Sequence, residues 1–99
     1  MVDAPDSVRL DKFLWAARFF KTRALSQQMI ESGKVRIDRQ TVKPARAIRC
    51  GVQIELRQGC TRRRIEVLAL SEKRGPAAEA QLLYRDLDPP ETVGLFDED

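Results

Sequence analysis

The hydrophobic period of this chain changes at Gly33, and that change restricts the fold more than any other feature. Before it, apolar residues recur at helical spacing; after it they alternate, as in strands with one buried face. In "RLDKFLWAARFFKTRAL", Arg9 to Leu25, the side chains of Phe13, Leu14, Ala17 and Phe20 fall within about a third of a helical wheel and form a core face. Asp11 reads as the N-cap of a first helix over Lys12 to Phe20, with Leu10 packing on Trp15 as a hydrophobic staple. Thr22 reads as the N-cap of a second helix, "RALSQQMIES", ended by Gly33 at C′. Only Lys21 and Thr22 join the two.

Beyond Gly33, "KVRID" and "QTV" read as a short hairpin around Arg39-Gln40, and Pro44 disfavours strand where it stands. "VQIEL" and "RRRIEVLAL" read as a longer hairpin around Gln58-Gly59, with Val52, Ile54 and Leu56 on one face and Ile65 and Val67 sharing one too. Arg62, Arg63 and Arg64 point alternately, so at most two share a face; they read as secondary phosphate contacts or as solubilising charge. Pro76 opens a short C-terminal helix, "PAAEAQLLYRDL", with Ala80, Leu83, Tyr84 and Leu87 on one side. The expected class is α+β: one domain over 8–85, a flexible N-terminus over 1–7, and an acidic flexible tail over 86–99 in which Leu95-Phe96 docks at most transiently. No internal repeat is visible.

Charge is divided unequally. Through Arg74 there are 17 Lys and Arg against 8 Asp and Glu; from Gly75 onward there is 1 against 7. A basic body with an acidic end points to a polyanion partner, because cations placed on phosphates release condensed counterions. A membrane partner is not expected: no stretch is apolar for the ~18 residues a span requires, and no lipidation signal is present. The acidic start "MVDAPDS" does not resemble a signal peptide, which places the protein in the cytoplasm. Catalysis is not expected either. The chain has no His, and Cys50 and Cys60 have no evident general base. The same two thiols, on different arms of the longer hairpin, suit neither a disulfide nor a zinc site, so no metal or cofactor is expected. Nothing calls for an obligate dimer, and the chain reads as a monomer.

The candidate binding residues gather on the helix pair. Arg9 precedes the first helix, Arg18 and Lys21 close it, Arg23 opens the second, and Lys34 follows it. The backbone N–H groups at Thr22-Arg23 present a positive dipole end to an anion, and an arginine there opposes the dipole unless a phosphate normally occupies the place. Gln27 and Gln28 have the groups to bond a base edge or a ribose. Trp15 and Phe19, an i, i+4 pair off the core face, are expected to be covered by the C-terminal helix through Leu83, Tyr84 or Leu87; the alternative is stacking on bases. Helix, tight turn and second helix also admit a DNA-binding regulator that reads the major groove with Arg23, Gln27 and Gln28, although the turn lacks the usual glycine.

"RLDKFLWAARFFKTRALSQQMIESGKVRID", then "VKPARAI" and "GVQIEL", resembles the RNA-binding domain named after ribosomal protein S-four. With "LRQG" and "GPAAEAQLLY" the chain is similar to the heat-shock protein fifteen family, ribosome-associated stress proteins of that superfamily, from about Val8 to Tyr84. The resemblance implies an S-four-type (alpha-L) fold, a helix pair packed on a short, mostly antiparallel sheet. It also implies an RNA-facing set of Arg9, Lys12, Arg18, Lys21, Thr22, Arg23, Gln27, Lys34 and Lys43. The implied partners are ribosomal RNA and the large ribosomal subunit, in rescue or recycling of stalled subunits, with tRNA or DNA bound non-specifically. Better-known members continue into a basic C-terminal extension, where this chain has an acidic one.

Overall fold

A computed structural model describes residues 6–58, 61–87 and 91–92. A two-residue strand β1 (Val8–Arg9) leads into helix α1 (Leu10–Ala16), followed by helix α2 (Arg23–Glu31). The strands β2 (Val35–Ile37), β3 (Gln40–Thr41), β4 (Ala47–Ile48), β5 (Gln53–Gln58) and β6 (Thr61–Val67) come next. Helix α3 (Ala77–Ala80) and a 3₁₀ turn (Gln81–Leu83) then lead to β7 (Tyr84–Asp86) and β8 (Glu91–Thr92). All strand pairs are antiparallel. β1 pairs β4, and the main sheet runs β3-β2-β5-β6-β7, with β8 beside β7 along the same edge of β6.

The core lies between the sheet and the helices. Val35, Ile37, Ile54, Leu56, Ile65 and Val67 bury one face of the sheet, as the alternation predicts, against Phe13, Leu14, Ala17, Phe20 and Ile30 of the helical layer. Helical followed by alternating patterning therefore gives the α+β class that it implies.

The first helix starts and stops earlier than its sequence suggests. Its N-cap is Arg9, and Asp11 lies inside it. The N–H groups of Leu10 and Asp11 donate to the carbonyls of Arg46 (2.8 Å) and Pro44 (3.1 Å), so a loop distant in sequence supplies the cap and the Asp11 carboxylate is not needed for it. At the other end Arg18 adopts φ 68. The Phe19 N–H then reaches the Leu14 carbonyl (2.9 Å) and the Arg18 N–H that of Trp15 (3.0 Å), a Schellman termination with arginine in the left-handed position. Residues 17–22, not Lys21 and Thr22 alone, join the helices.

The second helix follows its signals. The Thr22 hydroxyl accepts from the Leu25 N–H at 3.0 Å. Gly33, at φ 84, ends it with the same pair of bonds, Lys34 N–H to Met29 carbonyl and Gly33 N–H to Ile30 carbonyl. The short hairpin turns at Asp38-Arg39, both at positive φ (55 and 64) as a type I′ turn requires, one residue before the expected place.

The C-terminal helix is the larger correction. It stops at Ala80, and Tyr84–Asp86 leaves helical geometry to pair with Ile65–Val67 of β6. Glu91–Thr92 of the acidic segment is likewise strand. Residues 93–99, with Leu95-Phe96, and the Gly59-Cys60 end of the long hairpin lie outside the described residues. Cys50 is exposed with a free thiol. No described helix is long and apolar enough to cross a membrane.

Candidate nucleic-acid interface

The contact between α1 and α2 is built around Asp11, which is fully buried. Arg9 grips its carboxylate with Nε to Oδ1 (3.1 Å) and Nη2 to Oδ2 (2.9 Å), and the Gln27 amide donates to Oδ2 at 2.9 Å. The buried Ser26 hydroxyl donates to the Asp11 backbone carbonyl at 2.9 Å, so both helices are tied to this one residue. Burial pushes the Asp11 carboxyl up. The hydrogen bonds from Arg9 and Gln27, the charge of Arg9 and the Lys12 backbone N–H outweigh that and hold it below the ordinary value of 3.8. Arg9 and Gln27 are thus positioned by Asp11.

Lys12 and Arg18 turn toward the segment before α3. Lys12 faces Glu72 across 3.9 Å, and the Arg18 Nε donates to the Gly75 carbonyl at 2.8 Å. Arg74, absent from the expected set, donates from Nε to the Trp15 carbonyl (3.2 Å) and from Nη2 to that of Phe20 (3.4 Å), a cation at the C-terminal end of α1.

Lys21, Thr22 and Arg23 stand together at the start of α2. Thr22 is occupied as the cap, Lys21 is exposed, and the Arg23 Nε is buried with no hydrogen-bond acceptor. A buried donor left unmade costs about 1–3 kcal/mol, and an anion at this helix start would supply the acceptor. Lys43 is exposed on the loop whose carbonyls cap α1. The same loop and β4, which pairs with Arg9 at Ala47, bring up Arg46 and Arg49, both exposed. These two escaped the sequence reading, yet the stretch "QTVKPARAIRCGVQI" signals them by having three bases and no acid. Lys34 does not join this group. It follows α2, a nine-residue helix ~14 Å long, at the end away from Arg23.

Phe19 is covered, 8% exposed, and packs on Tyr84 with ring centroids 4.6 Å apart. Arg63 lies over both rings, 5.2 Å from the Phe19 centroid and 5.8 Å from that of Tyr84, and grips Asp86 with two hydrogen bonds. Cover by Tyr84 was expected, but it comes from β7 and not from a helix. Trp15 is half-buried. Of the three consecutive arginines, Arg63 points to the core side, whereas Arg62 and Arg64 share the outer face of the sheet.

The S4 domain family matches residues 8–54, which hold the helix pair, the short hairpin and the basic loop. A heat shock protein 15 homolog of Haemophilus influenzae is 48% identical over 85 residues, 86% of this chain and 65% of that protein, so the chain spans about two thirds of its relative. A more distant relative in Listeria innocua, named RQC P-site tRNA stabilizing factor, is 27% identical over 82 residues, 81% of this chain and 89% of its own length. The solved structure of Vibrio cholerae heat shock protein 15, described as trimeric, is 50% identical, superposes with a TM-score of 0.78 and covers 81% of both chains. About half identical to these two heat shock protein 15 sequences over more than four fifths of its length, and sharing the fold of the solved one, the chain belongs to the heat shock protein 15 family of S4-domain proteins.

Proposed function

We propose that this chain is a non-enzymatic RNA-binding protein that docks on structured ribosomal RNA of the large subunit through the start of α2 and the basic loop beside it, and acts in the cytoplasm in the handling of stalled subunits. The observation that carries this reading is the Arg23 Nε, a buried donor without an acceptor, between the open N–H groups of α2 and the exposed cation of Lys21. Arg9, Lys43, Arg46 and Arg49 extend the same surface. Recognition is by shape and phosphate position, since charge and backbone dipoles dominate and few side chains are disposed to read bases. The family and the name of the Listeria relative support a task on the ribosome.

Sedimentation of the tagged protein with cell lysate on a sucrose gradient tests the reading, with Lys21, Arg23 and Lys43 changed together to Glu as the comparison. Co-migration with free large subunits, lost in the triple variant, is expected. If both proteins stay at the top of the gradient, the ribosomal assignment falls. Tighter binding to one DNA duplex than to ribosomal RNA at equal salt would turn the reading toward a DNA regulator.

A further inference from the structure

Among the described residues, the helices cover one face of the main sheet. On the other, the strand registers bring Arg36 opposite Glu55, Glu55 opposite Arg64, and Arg57 opposite Arg62. Glu66 is paired with Arg85 and Glu55 lies between two arginines, so the carboxylates are used toward the middle of the face. Positive charge is left toward the hairpin end. There, Lys34, Arg36, Arg57 and Arg62, with Glu55, line an open hollow of about 420 Å³. The Arg36 Nε donates to the Gly33 carbonyl at 3.2 Å, which offsets the negative end of α2 and fixes that guanidinium at the rim. Lys34 and Arg57 are exposed, and their side chains hold no ion pair or hydrogen bond among the described residues.

We propose that this outer face is a second binding surface for the phosphodiester backbone of RNA, centred on Lys34 and Arg57 and separate from the surface at the start of α2. A face serving only solubility mixes its charges, whereas here Lys34, Arg36 and Arg57 gather beside Glu55 around a concavity wide enough for a phosphate and its sugar. The sheet lies between its helix-covered face and the outer one, and Lys34 follows α2 at the end away from Arg23, so the outer face takes a different segment of the RNA. The proposal rests on the RNA-binding reading above.

The test is amide NMR of the ¹⁵N-labelled full chain titrated at 50 mM salt with a hairpin RNA of about 20 nucleotides, for the native protein, for K21E/R23E/K43E and for K34Q/R57Q. Amides of Arg36, Glu55, Arg57 and Arg62 are expected to shift in the native protein and still to shift in K21E/R23E/K43E. In K34Q/R57Q those shifts should vanish while the ones around Arg23 persist, with the salt slope of binding shallower by about two, one per cation removed. The spectra themselves report whether each variant is folded. Shifts confined to the α2 start in the native protein overturn the proposal and leave RNA binding standing. Loss of the outer-face shifts in K21E/R23E/K43E also overturns it, since the surface would then not be separate. No shift anywhere overturns both readings.

Discussion

Arg18 occupies a backbone conformation, φ 68, that costs a side-chain-bearing residue about 1–2 kcal/mol. Its hydrogen bond to the Gly75 carbonyl offsets part of that cost and is lost in both Arg18→Ala and Arg18→Gly, whereas the backbone cost is relieved only by glycine. Arg18→Gly should therefore be more stable than Arg18→Ala by about 1 kcal/mol, the reverse of their order inside a helix, and urea denaturation of the two variants checks it. Asp11 makes a second demand. Because its folded pKa lies below the ordinary 3.8, its contribution is fully present above that value and is lost as pH falls through the lower folded value. Asp11→Asn should cost about 2–3 kcal/mol at pH 7, since Arg9 and Gln27 lose the charge they share, and should flatten the decline of stability below pH 4. Denaturation midpoints measured from pH 7 to pH 2 decide the matter: parallel curves for the two proteins would remove Asp11 from the acid transition.

At the scale of elements, what was legible in the chain is what local chemistry determines. Thr22 and Gly33 bound α2 because a hydroxyl cap and a glycine C′ act within one turn of the helix. The ends of α1 were not legible, because its cap is made by the carbonyls of Pro44 and Arg46 and its stop by an arginine where glycine is usual. In the same way, Ala80, Leu83, Tyr84 and Leu87 have helical spacing, but the open edge of β6 takes Tyr84–Asp86 as strand, and pairing across the sheet overrides local preference. Of the expected binding residues, Lys21 and Arg23 could be read from charge and helix ends alone, whereas Lys43 entered only through the family resemblance. That Arg9 and Gln27 are anchored to Asp11 depends on helix packing, which no spacing rule encodes. The role of β7 can be measured. Tyr84→Ala should destabilise the protein by about 2–4 kcal/mol, because Tyr84 packs on Phe19 under Arg63, and should leave RNA affinity unchanged in the folded fraction, because these rings are cover and not a stacking platform. A change in affinity without a change in thermal midpoint would return Phe19 to the binding surface.

Across the whole molecule, the unequal division of charge becomes spatial. Cations occupy the start of α2, the loop beside β1 and the outer sheet face, while acids follow β7 in sequence. If ~5 phosphates are neutralised, log affinity should fall with log salt at a slope of roughly −3.5 to −4.5. The acidic segment begins its course against the basic sheet, since β8 pairs with β6 so that Glu91 stands opposite Arg62. Asp97, Glu98 and Asp99 follow within seven residues of β8, and ~3.5 Å per residue puts the arginines nearest Glu91 within their span. Carboxylates at that local concentration compete with weakly held phosphates but yield to a site with defined geometry. Removing residues 93–99, which spares β7 and β8, should therefore strengthen binding to a non-specific RNA several-fold at 50 mM salt, with the gain fading by 300 mM as screening shortens the reach of charge. Anisotropy titrations at the two salts separate the cases: a gain independent of salt would point to a steric effect of the segment, and no gain at either salt would leave its acids without a role in binding.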